Sequence, residues 1–583
     1  MIPAALIGML AVNRLGAIHS VVFGGFAPTA LAQRIDACKP ALILTASCSI
    51  PLIEEAISLS LHKPDRVLVW QREHLQWKFE SWWRNILPWL AQWLLYGSEK
   101  QTVTVQSSWQ ELVAEAKARK IKADCVPVKS EEAVYIMHTS GTTGVPKGVR
   151  RDAGGHLVGL AFTMSYIFGI QGPGVGDVVF TTSDIGWVVG HSYILYGPLL
   201  TGATTVLYEG KPMGTPDAFV FWRIVEEYRV SVMFTAPTAL RSIRIDDPSN
   251  DHFSRIGVCG GLRSLRALFL AGERSEPSLV SVYQELLEIY GAKDAQVVDN
   301  WWSTEIRSPI TARALAAHEG LKVWNNSIRP GPALLPLKPG SPGKPVPGHQ
   351  VRVVDDEGQD VQPGVLGHLV LGFPLAPTAL RTLWEDDDRF YKSYFQRFGW
   401  RFFDTVDYGW MDGDGYVYVM SRSDDVLNVS AHRLSSGGIE QAILTHPLVA
   451  ECCITGIPDD TKGELPFAFI TLTIADDCRS EPKDAWIEEE IRRLVRTQVR
   501  AFASLGGMIL GNGIIPKTRS GKMLRRVLRE LFKNGVSGEY TREVSVPSTI
   551  EDGAVVEAAR GKVEDYFKRS KGKHKSIKET LGL

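Results

Sequence analysis

The sequence has little of what ties a protein to nucleic acid, to a membrane or to a disulfide framework. In 583 residues, 64 lysines and arginines stand against 65 aspartates and glutamates, so the charge gives no sign of a nucleic-acid surface. The seven cysteines form no Cys-x-x-Cys pair and are odd in number, which argues against a zinc site or a disulfide framework and favours a reducing compartment. No window reaches the ~18 uninterrupted apolar residues that a membrane-spanning helix needs.

Two apolar segments still need an interpretation. Residues 1–11 lack the basic leader of a signal peptide, and Asn13 and Arg14 interrupt the apolar segment early, so a core helix is predicted there. Residues 82–96 are rich in tryptophan but are broken by Pro88 and by polar residues. A helix at a membrane interface or on a partner protein would use such residues. A buried amphipathic insertion would use them too, and it is favoured because tryptophan and leucine also pack cores.

What the sequence does contain is an alternation of short apolar runs and helical stretches up to about residue 420. Together with the chain length, 44% apolar and 22% charged residues, this alternation predicts an α/β protein of more than one domain, with parallel sheets covered by helices. The apolar runs stand at 41–44, 66–69, 177–180, 204–207, 230–234, 265–270 and 296–298. A passage rich in proline and glycine then leads into further runs at 351–354 and 367–371, which predict a small β-subdomain.

A polar junction at Ser421–Asp425 suits a hinge between this large part and a compact α+β unit. The expected domains are therefore a large domain over 1–421, a smaller C-terminal domain over 425–540, and a polar, basic and solvated tail over 541–583.

The segment Thr139–Gly148 collects hydroxyl groups, glycines and one lysine. Hydroxyl groups suit hydrogen bonds to phosphate oxygens, glycines let the backbone approach a ligand, and Lys147 brings a compact positive charge, so a polyphosphate site is predicted. It is not a Walker A loop, because Pro146 precedes the lysine and Gly148 follows it. The apolar run Ala133–Met137 predicts a buried strand, which would place the loop at the end of a sheet, where ligands of α/β proteins bind.

This loop resembles the phosphate-binding signature of the adenylate-forming superfamily, which includes acyl-CoA synthetases, luciferases and the adenylation domains of peptide synthetases. Further segments follow in the superfamily's order and are similar to the short-chain acyl-CoA synthetases, above all those for propionate and acetate. These segments are Asp184–Tyr193, Ala271–Arg274, Asn300–Glu305, Phe403–Gly409, Ser421–Leu434 and Pro516–Lys522. The resemblance covers residues 1 to about 530, and it implies a large α/β domain with a mobile C-terminal domain.

The resemblance also implies roles for single residues. ATP and AMP would be bound by Thr139, Ser140, Gly141, Thr142, Thr143, Gly144, Lys147, Gly272, Glu273, Arg274, Asn300, Trp301, Asp407, Arg422 and Arg433. The catalytic residues would be Lys522, Thr304 at the α-phosphate and Glu305, which would also bind Mg²⁺. The carboxylate of Asp407 suits both ribose hydroxyls at once. The acyl pocket would be lined by Val188, Val189, Ala271 and Trp302, CoA would lie against Phe23, Gly24, Gly25, Ser430 and Ala431, and Asp424 would be the hinge.

The chain also departs from the family pattern. Relatives extend further toward the N terminus than Met1, so an N-terminal part is expected to be missing. The loop after Ile50 is shorter than the family's loop, whose basic residues help to hold CoA. Single residues differ as follows: Ser303 for glutamine, Ser421 for glycine, Ile306 for threonine, Arg307 for glycine, and Ala431 for a glycine beside the pantetheine channel.

The implied activity is the ligation of a short-chain acid, with propionate favoured, to CoA. Acid and ATP would give acyl-AMP and pyrophosphate, and CoA would then displace AMP, so ATP, Mg²⁺ and CoA are expected and nucleic acid is not. The expected location is the cytoplasm, or mitochondria if a missing N terminus carried a transit peptide. An adenylating ligase with another acid or acceptor, a catalytically impaired paralogue, and a protein that only binds a membrane remain as alternatives.

Overall fold

The computed structural model describes residues 1–72, 105–139, 146–210, 216–316, 334–429, 432–459, 463–473, 481–499, 505–518, 523–547 and 550–570. Outside these ranges lie the predictions on the tryptophan-rich segment at 82–96, on Ser140, Gly141, Thr142, Thr143 and Gly144, on Ser430 and Ala431, and on Lys522. For Asp424 and Arg433 the backbone is described and the side chain is not.

The N-terminal region contains a three-stranded parallel sheet. Its strands, in order across the sheet, are β1 (Leu42–Ala46), β2 (Arg66–Trp70) and β3 (Val105–Ser108). The helices of this region are α1 (Pro3–Arg14), α2 (Pro28–Cys38), α3 (Ile50–Leu59) and α4 (Trp109–Ala118). The helix predicted at the N terminus is α1, which buries Ala4, Gly8 and Met9.

An antiparallel hairpin and a helix follow. The hairpin consists of β4 (Ala133–Thr139) and β5 (Lys147–Asp152), and α5 (Ala153–Phe162) begins directly after it. The carboxylate of Asp152 accepts the N–H of Gly155 at 2.8 Å. This hydrogen bond caps the start of α5, because it satisfies an N–H that has no partner within the helix.

A five-stranded parallel sheet forms the centre of the large domain. In chain order its strands are β6 (Val178–Thr181), β7 (Thr204–Val206), β8 (Val232–Thr235), β9 (Ala267–Leu270) and β10 (Gln296–Asp299), and across the sheet they run β10, β9, β8, β6, β7. The helices between them are α6 (Gly197–Thr201), α7 (Val220–Tyr228), α8 (Pro237–Asp246), α9 (Asp251–Val258) and α10 (Pro277–Tyr290). This arrangement confirms the predicted α/β class.

Alternate side chains of these strands enter two separate cores. Met233 and Leu268 pack with α7, α8 and α10 on one face of the sheet. Phe234 and Phe269 pack with Leu160 of α5 and its neighbours on the other face. Each such side chain contributes roughly 1.5–3 kcal/mol by leaving water. Because both faces are covered, the strands are apolar at every position, which is why they stand out in the sequence.

The predicted β-subdomain is an antiparallel sheet. Its strands, in order, are β13 (Val351–Val354), β14 (Gly367–Leu371), β15 (Phe403–Met411) and β16 (Val417–Arg422), and α11 (Asp387–Tyr394) packs on β15. A short pair, β11 (Thr311–Ala312) and β12 (Lys344–Pro345), precedes it.

The C-terminal domain is a mixed sheet between helices. Its strands are β17 (Val426–Val429), β18 (His432–Ser435), β19 (Val449–Asp459), β20 (Gly463–Leu472) and β21 (Gly507–Leu510). Helices α12 (Ser436–Leu444) and α13 (Glu481–Gln498) share one core with the sheet, and α14 (Arg525–Ser537) shares a second core.

The end of the described chain corrects one sequence prediction. Helix α15 (Ala554–Ser570) packs on α14, and its Val556, Ala559 and Val563 are buried in the core that α14 forms with the sheet. The predicted solvated tail over 541–583 is therefore wrong for 554–570. These three residues recur at spacings of three and four, so they form an apolar stripe that needs a partner surface even in a polar and basic segment.

Candidate active site

The segment predicted to bind phosphate connects the two strands of the β4–β5 hairpin. Thr139 and Lys147 are partners in the antiparallel register, so the seven residues between them connect the two strands. The sequence predicted a buried strand over Ala133–Met137 with the loop at its end, and β4 confirms this. The direct return of the chain into an antiparallel strand, β5, is a further finding. So short a connection allows antiparallel pairing, whereas a parallel crossover needs a dozen residues or more. The Oγ1 atom of Thr139 is buried and has no hydrogen-bond partner among the described residues, as suits a group that faces a ligand.

Lys147 and Glu305 both contact Tyr394. The Nζ atom of Lys147 is 4.7 Å from the centre of the Tyr394 ring, and the Tyr394 hydroxyl donates to Oε1 of Glu305 at 2.7 Å. Burial lowers the pKa of the Lys147 ammonium, and the charge of Glu305 only partly opposes this. Burial raises the pKa of the Glu305 carboxyl, but the hydrogen bond from Tyr394 and the charge of Lys147 outweigh it and leave that pKa below its usual value. The carboxylate is therefore ionised at neutral pH.

Glu305 belongs to a turn that follows the carboxyl end of β10. Its main-chain oxygen accepts hydrogen bonds from Nη1 of Arg151 at 3.1 Å and from the N–H of Leu380 at 2.9 Å. Thr304 lies in the same turn and is partly buried. The turn thus rests on β5 and on the β-subdomain, and the motif Asn300–Glu305 is at the edge of the sheet where ligands of α/β folds bind.

Asp407, Trp301 and Arg422 meet although they come from three separate segments. Nε1 of Trp301 donates to Oδ2 of Asp407 at 2.8 Å, and Nη1 of Arg422 lies 3.4 Å from Oδ1 of the same carboxylate. Asp407 and Arg422 face each other because β15 and β16 pair antiparallel in a register that joins these two residues. The structure therefore brings together the residues that the sequence assigned to the ribose and to the nucleotide.

The three residues Gly272, Glu273 and Arg274, which are expected to border adenine, have different surroundings. Gly272 has a φ of +104°, and the space where a Cβ would lie is open, as suits a close approach by a ligand. The Glu273 carboxylate accepts from Arg241 at 2.7 Å. Arg274 donates to the main-chain oxygen of Gly437 at 3.1 Å, in the C-terminal domain. The predicted nucleotide contacts of Glu273 and Arg274 stay predictions, and in this conformation both side chains bind protein groups instead.

Asn300, at the end of β10, is buried. Its Nδ2 donates to the main-chain oxygens of Leu270 and Val298, both at 3.3 Å. Its Oδ1 is buried and finds no protein partner in the described ranges. A carbonyl oxygen held in this way can accept a hydrogen bond from a ligand such as the adenine amino group.

The predicted acyl pocket is an apolar cluster. Ala271 is buried, with 4% of its surface exposed, and Val189 and Trp302 pack in the same cluster. The Trp302 ring lies 5.7 Å from that of Tyr193, between ring centres. Val188 occupies the same helical turn as Val189 but is not a member of the cluster. Three of the four predicted residues thus come together.

The segment Phe23–Gly25, predicted to contact CoA, lies beside the acyl-pocket segment. The rings of Phe23 and Trp187 are 5.7 Å apart between centres. A Cβ at Gly186 would come within 2.6 Å of the Phe23 nitrogen, so the backbones of these two segments are in close contact. Gly24 is open to solvent on its Cβ side. The predicted CoA contacts at Phe23–Gly25 are therefore neighbours of the acyl-pocket segment.

Sequence reasoning missed Tyr394 and Arg151. No local signal singles out Tyr394 among sixteen tyrosines, because α11 looks like an ordinary amphipathic helix. Arg151 follows Arg150 directly, and period-two alternation along β5 would have shown that the two side chains point to opposite faces. Only Arg151 is fully buried.

Mg²⁺ fits the donors of this site. In the described part of the chain, no three His, Cys, Asp or Glu side chains gather as they would in an all-protein metal site. Mg²⁺ needs no such cage, since it takes one or two carboxylates and completes its shell with phosphate oxygens and water. An ionised Glu305 beside Lys147 meets that requirement.

Comparison with known families decides the relationship. The model of the AMP-binding enzyme family matches residues 1–376, and that of the AMP-binding enzyme C-terminal domain matches residues 438–522. The chain belongs to the AMP-binding enzyme family. This confirms the resemblance to the adenylate-forming superfamily that the motifs carried. Among the described helices of this family member, none is long and apolar enough to cross a membrane.

Curated relatives narrow the kinship within the family. The chain is 41% identical to the mitochondrial acyl-CoA synthetase short-chain family member 3 of Pongo abelii, over 98% of this chain and 74% of the relative. It is 37% identical to the propionate--CoA ligase of Salmonella typhimurium, over 97% of this chain and 82% of that enzyme. The likeness to short-chain acyl-CoA synthetases is thereby confirmed.

Solved structures support the fold. The acetoacetyl-CoA synthetase from Streptomyces lividans superimposes with a TM-score of 0.73 at 21% identity, over 97% of this chain and 76% of that one. An anthranilate CoA ligase in complex with anthranoyl-AMP gives a TM-score of 0.65 at 22% identity, over 90% of this chain and 84% of that one. The family's two-domain α/β architecture is therefore shared.

Proposed function

We propose that this protein is an ATP-dependent short-chain acyl-CoA synthetase that favours propionate. In the first step a carboxylate oxygen attacks the α-phosphorus of ATP, the bond to the β-phosphate breaks, and acyl-AMP and pyrophosphate form. In the second step the thiolate of CoA attacks the acyl carbonyl and AMP leaves. The observation that carries the proposal is that Lys147 and Glu305 meet at Tyr394, while Arg422, which pairs with Asp407, is close enough for its charge to act on Glu305.

The first step needs no general base, because the carboxylate of the acid is already ionised. The barrier lies in bringing anions together and in stabilising the pyrophosphate that leaves. Lys147 would neutralise phosphate oxygens, and the buried hydroxyl of Thr139 would donate to them. When bound, Mg²⁺ would supply further positive charge at the phosphates, with Glu305 as its protein ligand.

The nucleoside half of ATP would be held away from the reacting phosphate. The carboxylate of Asp407 would accept hydrogen bonds from the ribose hydroxyls while Trp301 keeps it oriented from the other side. Asn300 would offer its unpaired Oδ1 to the adenine. Arg422, whose side chain is about half exposed, would remain within reach of the nucleotide as the domains move.

The second step requires the C-terminal domain to turn about Asp424. Lys522 would take part in adenylation and withdraw before CoA enters, while the loop at Ser430–Arg433 comes to the acyl-AMP. Arg274 bridges the two domains in the conformation described here, through Gly437 and Gln441. Replacement of Lys522 by alanine should therefore slow acyl-AMP formation by about 10²-fold and spare the reaction of supplied acyl-AMP with CoA.

The preference for propionate follows from the size of the acyl cluster. Ala271 is small, and Trp302 would close the far end of the pocket, so that one methylene more than acetate fits and long chains do not. Burying that methylene contributes about 0.8 kcal/mol. The name of the Salmonella enzyme, a propionate--CoA ligase, agrees with this assignment.

One assay tests the function and its alternatives. AMP and pyrophosphate release would be measured with unbranched acids from acetate to octanoate, with and without CoA. Release with propionate that depends on CoA is the expected result. Pyrophosphate release without transfer to CoA would indicate another acceptor, and no release with any acid would indicate an impaired paralogue. The cytoplasmic location stays a prediction, since several relatives are named as mitochondrial.

A further inference from the structure

Arg307 holds an unusual backbone conformation in the turn that carries Glu305. Its φ is +76°, in the left-handed region that glycine adopts readily and that other residues rarely adopt. The family pattern predicted glycine at this position. The chain therefore keeps the shape of the turn but adds a long charged side chain, and some interaction must hold that side chain in place.

The partner of Arg307 is Asp152. Nη2 of Arg307 donates to Oδ1 of Asp152 at 2.9 Å, and Nη1 donates to the main-chain oxygen of the same residue at 3.2 Å. The two side chains are 2% and 3% exposed. Two hydrogen bonds to one residue, together with the Gly155 N–H on the second carboxylate oxygen, help to offset the loss of water around a buried ion pair.

Asp152 joins this turn to the strand that carries Lys147. It is the last residue of β5, and Lys147 is the first. Arg151, next to it, donates to the main-chain oxygen of Glu305 at 3.1 Å. One strand therefore holds the turn at Glu305 and at Arg307, and the same strand presents Lys147 at its other end.

The turn is also closed on itself. The N–H of Arg307 donates to the main-chain oxygen of Ser303 at 2.9 Å, and the N–H of Ile306 donates to Oγ of Ser303 at 3.3 Å. Ser303 and Arg307 are both departures from the family pattern. The first closes the turn and the second ties it to β5, so the backbone on each side of Glu305 is fixed.

We propose that Arg307 is a positioning residue for adenylation, which through Asp152 fixes the Glu305 turn against β5 so that Glu305 and Lys147 face the phosphates of ATP in one geometry. This inference rests on the proposed function. Groups that orient a metal-binding carboxylate commonly matter as much for metal affinity as for fold.

The test compares Arg307→Gly and Arg307→Lys with Arg266→Ala. Arg266 forms an ion pair of 3.1 Å with Asp177 at the opposite, amino-terminal edge of the central sheet, so it is a matched control. Pyrophosphate exchange at varied Mg²⁺–ATP, the reaction of supplied acyl-AMP with CoA, and binding of Mn²⁺ in the presence of a non-hydrolysable ATP analogue would be measured. Hydrogen exchange of the 303–307 amides would be followed in the unliganded protein.

Arg307→Gly should raise the apparent KM for Mg²⁺–ATP and weaken Mn²⁺ binding by about 10-fold or more, with a smaller effect on kcat. In Arg307→Gly the reaction of acyl-AMP with CoA should be unchanged, and the 303–307 amides should exchange faster. Arg307→Lys should recover part of the loss. Arg266→Ala should alter neither the KM for Mg²⁺–ATP nor the binding of Mn²⁺. Equal losses in both half-reactions, or a lower Tm with unchanged metal parameters, would overturn the inference. If the wild type exchanges no pyrophosphate with any acid, the proposed function fails, and Mn²⁺ binding and amide exchange still decide the role of Arg307.

Discussion

Trp301 and Trp302 are neighbours in the chain, yet they lie in different parts of the molecule. Trp301 donates to Asp407 and packs in the core of the β-subdomain. Trp302 packs against Tyr193 and Phe234, in the core on one face of the central sheet. Successive side chains of an extended segment point in opposite directions, so one short stretch after β10 serves a polar region and an apolar region at once.

The polar region and the apolar region are also built by different rules. Around Glu305 charged groups bind polar partners, as Arg307 binds Asp152 and Arg422 binds Asp407, because an unpaired buried charge is costly. Around Trp302 the partners are ring faces and methyl groups, and only size and shape are specified. We therefore expect substitutions in the polar region to change the rate with little effect on the choice of acid, and substitutions in the apolar region to do the reverse.

The largest effect is expected at Glu305. Glu305→Gln keeps the shape of the side chain and removes its charge, so adenylation should slow by about 10²-fold or more with an unaltered order of acids. Pyrophosphate exchange with acetate, propionate and butyrate measures both. Asp177→Asn, an equivalent change at the far edge of the sheet, serves as the control. A changed order of acids in Glu305→Gln would mean that the two regions are not separate.

Ala271 and Trp302 should control which acid is used. Ala271→Val should shift the preference toward acetate, and Trp302→Gly should admit acids of about six carbons or more, with changes of roughly 10- to 200-fold in relative kcat/KM. Measuring kcat/KM for acetate, propionate, butyrate and hexanoate in both variants decides this. If these residues only pack the core, stability will fall while the ranking of acids stays the same.

Trp301 should affect the binding of ATP and leave the choice of acid unchanged. Trp301→Phe removes the donor to Asp407 and leaves a partly buried carboxylate short of one hydrogen bond, which typically costs about 1–3 kcal/mol. The KM for ATP should therefore rise about 10-fold, since 1.4 kcal/mol corresponds to one decade. Trp302→Phe is the matched control and should leave the KM for ATP unchanged. An equal effect of both variants on ATP would contradict the division between the two tryptophans.

Much of this arrangement could be predicted from the sequence. The strands of the central sheet stood out because both faces are buried, as Met233 and Phe234 illustrate by entering opposite cores. The motifs around Glu305 and Asp407 could be assigned to one nucleotide site because both resemble motifs of the adenylate-forming superfamily, and the first of them follows a recognisable strand at 296–298. These features depend on local composition and on residue order, and both are visible without a structure.

The rest depends on contacts between distant segments. Nothing near Tyr394 shows that its hydroxyl reaches Glu305, and nothing near Arg307 shows that Asp152 lies opposite. The return of the phosphate loop into a second strand was not predicted, because β5, with four charged residues out of six, does not look like a strand. The stripe of Val556, Ala559 and Val563 was visible, and the basic composition around it led to the wrong prediction of a solvated tail.

Tyr394 gives the smallest effect and the sharpest test of the polar region. Its hydrogen bond is one of the causes that hold the pKa of Glu305 below the usual value. In Tyr394→Phe that pKa should rise, so the carboxylate is protonated at a higher pH and the acid limb of the rate profile moves upward. The ionised Glu305 carboxylate also stabilises the folded protein. This stabilisation is present above the pKa that Glu305 has in the unfolded chain, and it is lost as the pH falls through the pKa of the folded protein. In the variant it is therefore lost at a higher pH. Near neutral pH the rate should fall only a few-fold, because Glu305 is still ionised there and Lys147 remains beside it.

Pyrophosphate exchange between about pH 5 and 8 measures the acid limb of the rate profile. Tyr391→Phe, a change at a more exposed tyrosine of the same helix, is the control. An acid limb that stays in place would show that Glu305 does not set it, or that the phenol does not reach the carboxylate in solution.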